Sequence, residues 1–115
     1  MKRSTSTLAD AEQIVCAAVT AFGTGAKSMA VAPAAVESIR RKFMPTISTA
    51  LEHRDWRKDW QREQVYVRAY AEALGERAKA LAAEDKRRII LPADIDAATA
   101  KMRGYLPIAG RWCPV

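Results

Sequence analysis

The longest regular feature of the sequence is an apolar pattern that runs from Trp56 to about Glu84 without a proline. Its apolar residues recur every three or four positions, as on one face of an α-helix. This stripe consists of Trp56, Trp60, Val67, Tyr70, Leu74, Ala78 and Leu81. A helix of roughly 30 residues is about 45 Å long. The rest of a 115-residue chain is too short to cover it, so we expect the stripe to form a dimer interface.

Shorter helices are predicted on both sides of this central helix. Apolar spacing indicates one helix over 8–22, ending at Gly23, and another that begins at Pro33. Pro45 should end or kink the second helix near Phe43, with a short further piece over 47–51. A last helix over 92–102 should end at Gly104, and we expect the tail 104–115 to be irregular. No internal repeat is evident.

Composition favours a single all-α domain over 1–115. Half of the residues are apolar, only 7% are aromatic, and Gly and Pro number five each, which favours helices built on alanine and aliphatic residues. No apolar segment approaches the ~20 residues of a membrane span, and no signal peptide is evident. We therefore expect a cytoplasmic protein without a membrane partner.

Catalytic and metal-binding chemistry has little support in the sequence. Two cysteines, Cys16 and Cys113, and a single histidine, His53, cannot assemble a four-ligand zinc site by themselves. No serine or cysteine stands in a recognisable nucleophile motif. The carboxylates are scattered among basic residues along helices, which is typical of a solvated face. We expect no enzymatic activity, no metal, no cofactor and no small-molecule substrate.

A spaced motif follows the central helix. Arg87, Ile90, Asp94 and Ile95 fit the pattern Arg-x-x-Ile-x-x-x-Asp-Ile, which spans a basic turn, a short β-branched run and a helix that begins with Pro92. This layout resembles the second half of the histone fold, as in archaeal and bacterial histones and related transcription-factor subunits. The resemblance extends over roughly residues 33–103 and weakens toward its start. The helix over 8–22 is an accessory addition to that fold.

The resemblance implies a handshake dimer, either a homodimer or a histone-fold heterodimer. In such a dimer the first loop of one chain lies beside the second loop of the other. The family's first helix corresponds here either to 33–43 or to 45–54. The short run over 89–91 can pair as a strand only if another loop lies beside it.

Arg87 and Asp94 are predicted to act as a structural clamp. Asp94 lies in the first turn of the last helix, where a negative charge is favourable, and it is placed to receive Arg87 as a bidentate pair across the turn. The resemblance implies that this pair fixes the second loop. The alternative is a solvated surface pair that contributes ~0–1 kcal/mol.

Duplex DNA is the predicted partner. The net charge is +6, and basic balance in a small protein suggests an acidic partner. The basic residues that match the two loops of the family are Arg54, Arg57, Lys58, Lys86, Arg87 and Arg88. Contacts from such residues to phosphates are salt-sensitive and carry little sequence preference. DNA binding would make the protein nucleoid-associated.

Two observations leave an alternative function open. Basic residues at helix ends are often only solubilising, and acidic residues such as Asp55 and Asp85 lie among them. Aromatic residues at helical spacing more often face a core than stack on bases. The alternative is a histone-fold or other helical module that binds a protein and not DNA.

Overall fold

The computed structural model of the protein describes residues 3–52, 60–102, 105–108 and 111–114, with side chains for 9–49, 51–52 and 64–102. The helices are α1 (Arg3–Gly25), α2 (Pro33–Glu52), α3 (Trp60–Glu84) and α4 (Pro92–Lys101). The strands are β1 (Ala30–Val31), β2 (Ile89–Ile90), β3 (Tyr105–Ile108) and β4 (Arg111–Pro114). Helices dominate, which confirms the all-α class. No helix in the described ranges is both long and apolar enough to cross a membrane.

The helices form two helix–strand–helix units, α1–β1–α2 and α3–β2–α4. Strands β1 and β2 pair in parallel, with Ala30 opposite Ile89 and Val31 opposite Ile90. The Ala32 amide also donates a hydrogen bond of 3.0 Å to the Ile90 carbonyl. The two loops that follow the long helices are therefore held side by side within one chain.

The two units have a lysine, a proline and an alanine in common at a spacing of 59 residues (27 to 86, 33 to 92, 34 to 93). Residues 27–34 read KSMAVAPA and residues 86–93 read KRRIILPA. The paired strands have the same spacing, as expected for two units related by an approximate two-fold axis along the strands.

Helices α1 and α3 form the centre of the core. Gly25 of α1 faces the backbone of Glu72, and Gly75 of α3 faces the backbone of Phe22, so the two helices run in opposite directions where they touch. One hydrophobic cluster joins all four helices and β2. Its large, fully buried side chains are Phe22, Phe43, Ile14, Ile39, Ile47, Leu51, Leu74, Ile90 and Ile95.

The apolar stripe predicted to form a dimer interface is used within the single chain, as far as its side chains are described. Val67, Leu74 and Ala78 are buried within the single chain, and Tyr70 and Leu81 pack against the same core. The reason is that α1 is an integral part of the core and not an accessory helix. It supplies the apolar surface that we had assigned to a second chain. Trp56 and the side chain of Trp60 lie outside the described residues.

Other element boundaries also differ from expectation. Helix α2 continues through Pro45 to Glu52. A proline inside a helix removes one backbone hydrogen bond, but the ring is exposed and the following turns bury Ile47 and Leu51, which offsets that loss.

Helix α1 extends beyond 8–22 at both ends. The tail is not irregular: β3 and β4 pair as an antiparallel hairpin, with Tyr105 opposite Pro114. Pairing satisfies backbone groups that an irregular tail would leave to water.

We predict that the glycines at the α1–α3 contact cannot be replaced. A Cβ at Gly75 would collide with the Phe22 carbonyl oxygen, and one at Gly25 with the Glu72 carbonyl oxygen. Both are backbone atoms, so relief requires the helices to separate. Gly75→Ala and Gly25→Ala should each lower the free energy of unfolding by ~1–3 kcal/mol, measured by urea denaturation.

The matched control is Gly23→Ala in α1. A Cβ at Gly23 meets nothing within 4 Å, and alanine is favoured over glycine in a helix by up to ~1 kcal/mol. This variant should be neutral or stabilised. Equal destabilisation by Gly23→Ala and Gly75→Ala would contradict the close packing of α1 on α3.

Candidate nucleic-acid interface at the paired turns

The candidate site is formed by two turns, residues 26–29 after α1 and residues 85–88 after α3. In each turn one lysine takes the left-handed conformation, Lys27 at φ 55° and Lys86 at φ 57°. Glycine is the usual residue at this place. The Lys27 amide donates to the Thr24 carbonyl at 3.1 Å, and the Lys86 amide to the Ala83 carbonyl at 2.9 Å. Each turn thus reverses the chain within a few residues and directs it into its strand.

Exposed cations are present in both of these turns. Because β1 and β2 are parallel and adjacent, the turns that precede them lie at the same end of the strand pair. Lys27, Lys86 and Arg88 are exposed, and none of them takes part in an ion pair with any residue in the described ranges. The site therefore has three cations available to a ligand. We call Lys27, Lys86 and Arg88 the turn cations.

Arg87 has a different role in the second turn. Its Nη1 donates to Asp94 Oδ2 at 2.8 Å and its Nη2 to Asp94 Oδ1 at 2.8 Å. Its Nε donates to Asp85 Oδ2 at 2.7 Å, and Nη1 also donates to the Ile89 carbonyl at 3.0 Å. The guanidinium therefore joins both ends of the turn to the start of α4, in the bidentate geometry of strong arginine–carboxylate pairs.

Asp94 is the buried member of this pair. Only 5% of its side chain is exposed, against 25% for Arg87. The Arg87 hydrogen bonds, and then the amide of Leu91 at 2.8 Å, hold the pKa of the Asp94 carboxyl below its usual value despite its burial. The hydrogen bonds to Asp94 and then to Asp85 raise the pKa of Arg87. Both groups therefore stay charged, and the Asp94 carboxylate also satisfies a backbone donor at the start of α4.

The first turn has no such ion pair. At the positions that correspond to Arg87 and Asp94, the first unit has Ser28 and Ala35. Ala35 is fully buried, so a small apolar residue fills the place that the carboxylate occupies in the second unit. The two turns thus share a backbone conformation but differ in what fixes them.

The predicted DNA-binding residues fall into three groups. Arg54, Arg57 and Lys58 lie outside the described residues. Lys86 and Arg88 are exposed at the second turn. Arg87 lies beside them, but two carboxylates occupy its guanidinium, which makes it a structural residue more than a ligand contact.

Sequence reasoning missed Lys27. The loop that lies beside the second turn is the one after α1, in the same chain, and not one near Arg54 of another chain as the handshake arrangement implies. The repeat of Lys and Pro at one spacing was the signal that could have found it.

Comparisons with known proteins give no match to a family model, a curated protein or a solved structure. Among the residues that the structure describes, no three His, Cys, Asp or Glu side chains lie close enough together to hold a metal ion.

We predict that Arg87→Ala destabilises the protein more than Asp94→Ala. Loss of Arg87 leaves a buried carboxylate without its countercharge, whereas loss of Asp94 leaves a partly exposed guanidinium that still contacts Asp85. The double variant should be less than additive. Urea denaturation of the four proteins measures the coupling, and strict additivity would mean that the pair does not stabilise the fold.

The Asp94 carboxyl should also make stability depend on pH. Its pKa is lower in the folded protein than in the unfolded chain, where a value of about 3.9 is expected. Its contribution is therefore fully present above that value and is lost as pH falls through the folded pKa. The difference in unfolding free energy between wild type and Asp94→Asn should shrink below about pH 4. A difference that stays constant from pH 7 to pH 2 would contradict a depressed pKa.

Proposed function

We propose that the protein binds duplex DNA, mainly through phosphates and without strong sequence preference, with the turn cations as the contact. The observation that carries this proposal is the parallel pairing of β1 with β2, which puts two lysine turns at the same end of one strand pair. In this proposal the protein has a binding role and catalyses no reaction.

The geometry of the turn cations suits a phosphate backbone. Lys27, Lys86 and Arg88 are exposed in the two turns that precede the paired strands, and their ammonium and guanidinium groups are typical phosphate ligands. Unpaired, exposed cations favour binding because they release counterions from the DNA without first breaking an ion pair.

The charge balance supports an acidic ligand of this kind. The net charge is +6. At the second turn the single positive charge of Arg87 is shared by two carboxylates, Asp85 and Asp94, so this group has a net charge of −1, which the three turn cations outweigh. The turn cations then determine the local field, and such a field also steers a polyanion toward the turns.

Part of the histone-fold resemblance is retained in this proposal. Two features favour it, the Arg87–Asp94 pair in the second loop and the parallel pairing of that loop with another. In the handshake arrangement the second loop belongs to a partner chain, whereas here both loops belong to one. We therefore propose a histone-like DNA-binding unit within a single chain.

A second candidate is a helical protein-interaction module that does not bind DNA. A groove between α1 and α3, lined by Ala17, Ala21, Val65 and Ala69 among others, favours it. The two candidates use different surfaces and are separated by testing DNA directly.

We predict micromolar binding to unrelated DNA duplexes, in the ~10⁻⁴–10⁻⁶ M range of non-specific complexes. Affinity should fall steeply with salt, by about 0.9 in the log–log slope for each phosphate neutralised. Replacing Lys27, Lys86 and Arg88 with alanine should weaken binding to all sequences alike and flatten that slope. Fluorescence anisotropy at several salt concentrations measures both quantities.

The matched control removes the same charge elsewhere. Arg41, Arg77 and Lys101 are exposed on α2, α3 and α4, so their triple alanine variant has the same net charge as the turn variant. It should retain most of the affinity and the salt slope. Equal losses in both triple variants would mean that overall charge and not the paired turns binds DNA. No binding by wild-type protein at low salt would refute the proposal.

A further inference from the structure

A groove runs between α1 and α3 that neither the core nor the proposed DNA contact uses. It is lined by Ala17, Thr20, Ala21, Thr24, Val65, Arg68, Ala69 and Glu72, and its volume is about 540 Å³. Its lining side chains are exposed or half-buried, and Val65 is 49% exposed. The three alanines keep its floor shallow and apolar.

The threonines of the groove need no polar partner. The Thr20 hydroxyl donates to the Cys16 carbonyl at 3.1 Å, and the Thr24 hydroxyl donates to the Thr20 carbonyl at 3.2 Å. Since their donors are used within α1, an apolar surface can cover these side chains without leaving a buried donor unsatisfied.

Two opposite charges lie at the α3 side of the groove. Arg68 and Glu72 are one helical turn apart, and neither is in an ion pair with any residue that the structure describes. An arginine four residues before a glutamate is the weaker orientation for a pair within one helix. Both charges are therefore available to a partner that presents the opposite order.

We propose that the groove binds a second copy of this chain, with α3 of one copy crossing α3 of the other in antiparallel orientation at Ala69. A two-fold axis near this position places Arg68 of one copy opposite Glu72 of the second copy, and the reverse pair on the other side. The same surface is thus self-complementary, as an isologous interface requires. Alanine at the crossing point lets the helix axes approach closely, and Val65 is covered in the process.

This interface differs from the dimer expected from the apolar stripe of α3. The part of that stripe whose side chains are described, from Val67 to Leu81, packs against the core of the chain, whereas the groove lies on the surface of the α1–α3 pair. The inference does not depend on DNA binding, because the turn cations take no part in the lining.

The test is a charge swap followed by sedimentation equilibrium at low salt. Wild-type protein should show a concentration-dependent dimer. Arg68→Glu alone and Glu72→Arg alone each put like charges opposite one another, and each should weaken the dimer by about tenfold or more. The double variant R68E/E72R restores opposite charges in reversed order and should recover most of the affinity.

The matched control is E37R/R41E on α2, together with its single variants. Glu37 and Arg41 are also exposed, opposite in charge and four residues apart, but they do not line the groove. Their reversal should leave the dimer unchanged. A wild-type protein that stays monomeric at all concentrations would overturn the proposal, and so would a dimer that ignores the single reversals or fails to recover in the double swap. Circular dichroism verifies that each variant is folded.

Discussion

The close approach of α1 and α3 is the contact on which the rest of the structure depends. It requires glycine on both helices, because a side chain at Gly25 or Gly75 would meet the backbone of the other helix. Such contact lets short residues such as Ala18, Ala71 and Ala78 reach the core and be buried. A core built on alanine provides little area per residue, so it gains stability only where helices lie close together. The low content of aromatic residues in the sequence is consistent with a core of small side chains between closely packed helices.

The strands pair across that helix contact. Helices α1 and α3 run in opposite directions and end at opposite ends of their contact, so it is the turns after them that direct β1 and β2, of two residues each, toward one another. Strands this short are not stable alone. They are held because the helices before and after them share one core. The position of the turn cations is therefore a consequence of helix packing, although none of these cations contributes to the core.

The two units differ in how their second helices begin. The second unit uses a buried carboxylate that receives Arg87 and the Leu91 amide, whereas the first uses a buried alanine at the corresponding position. Removing one partner of a buried ion pair lowers the free energy of unfolding strongly, whereas a site that holds an apolar residue in place of the pair carries no such penalty. We therefore expect the second turn to tolerate change at its structural residues less than the first. The exposed turn cations are free of this constraint, which separates the residues that hold the turn from those proposed to bind.

The sequence by itself determined which segments are helical and which faces of them are apolar. Periodicity identified the stripe with Val67, Leu74 and Ala78, and motif spacing identified Arg87 and Asp94 as a pair. Both the stripe and the pair follow from local geometry. Three or four residues make one turn of an α-helix, and Arg87 and Asp94 are only seven residues apart in the sequence. Tertiary structure alone decided what covers the stripe and which loop lies beside the second turn. Hydrophobic burial has no direction, so an apolar face is satisfied equally by a second chain or by a helix 50 residues away. Here α1 takes that place, and the strand after it pairs with β2.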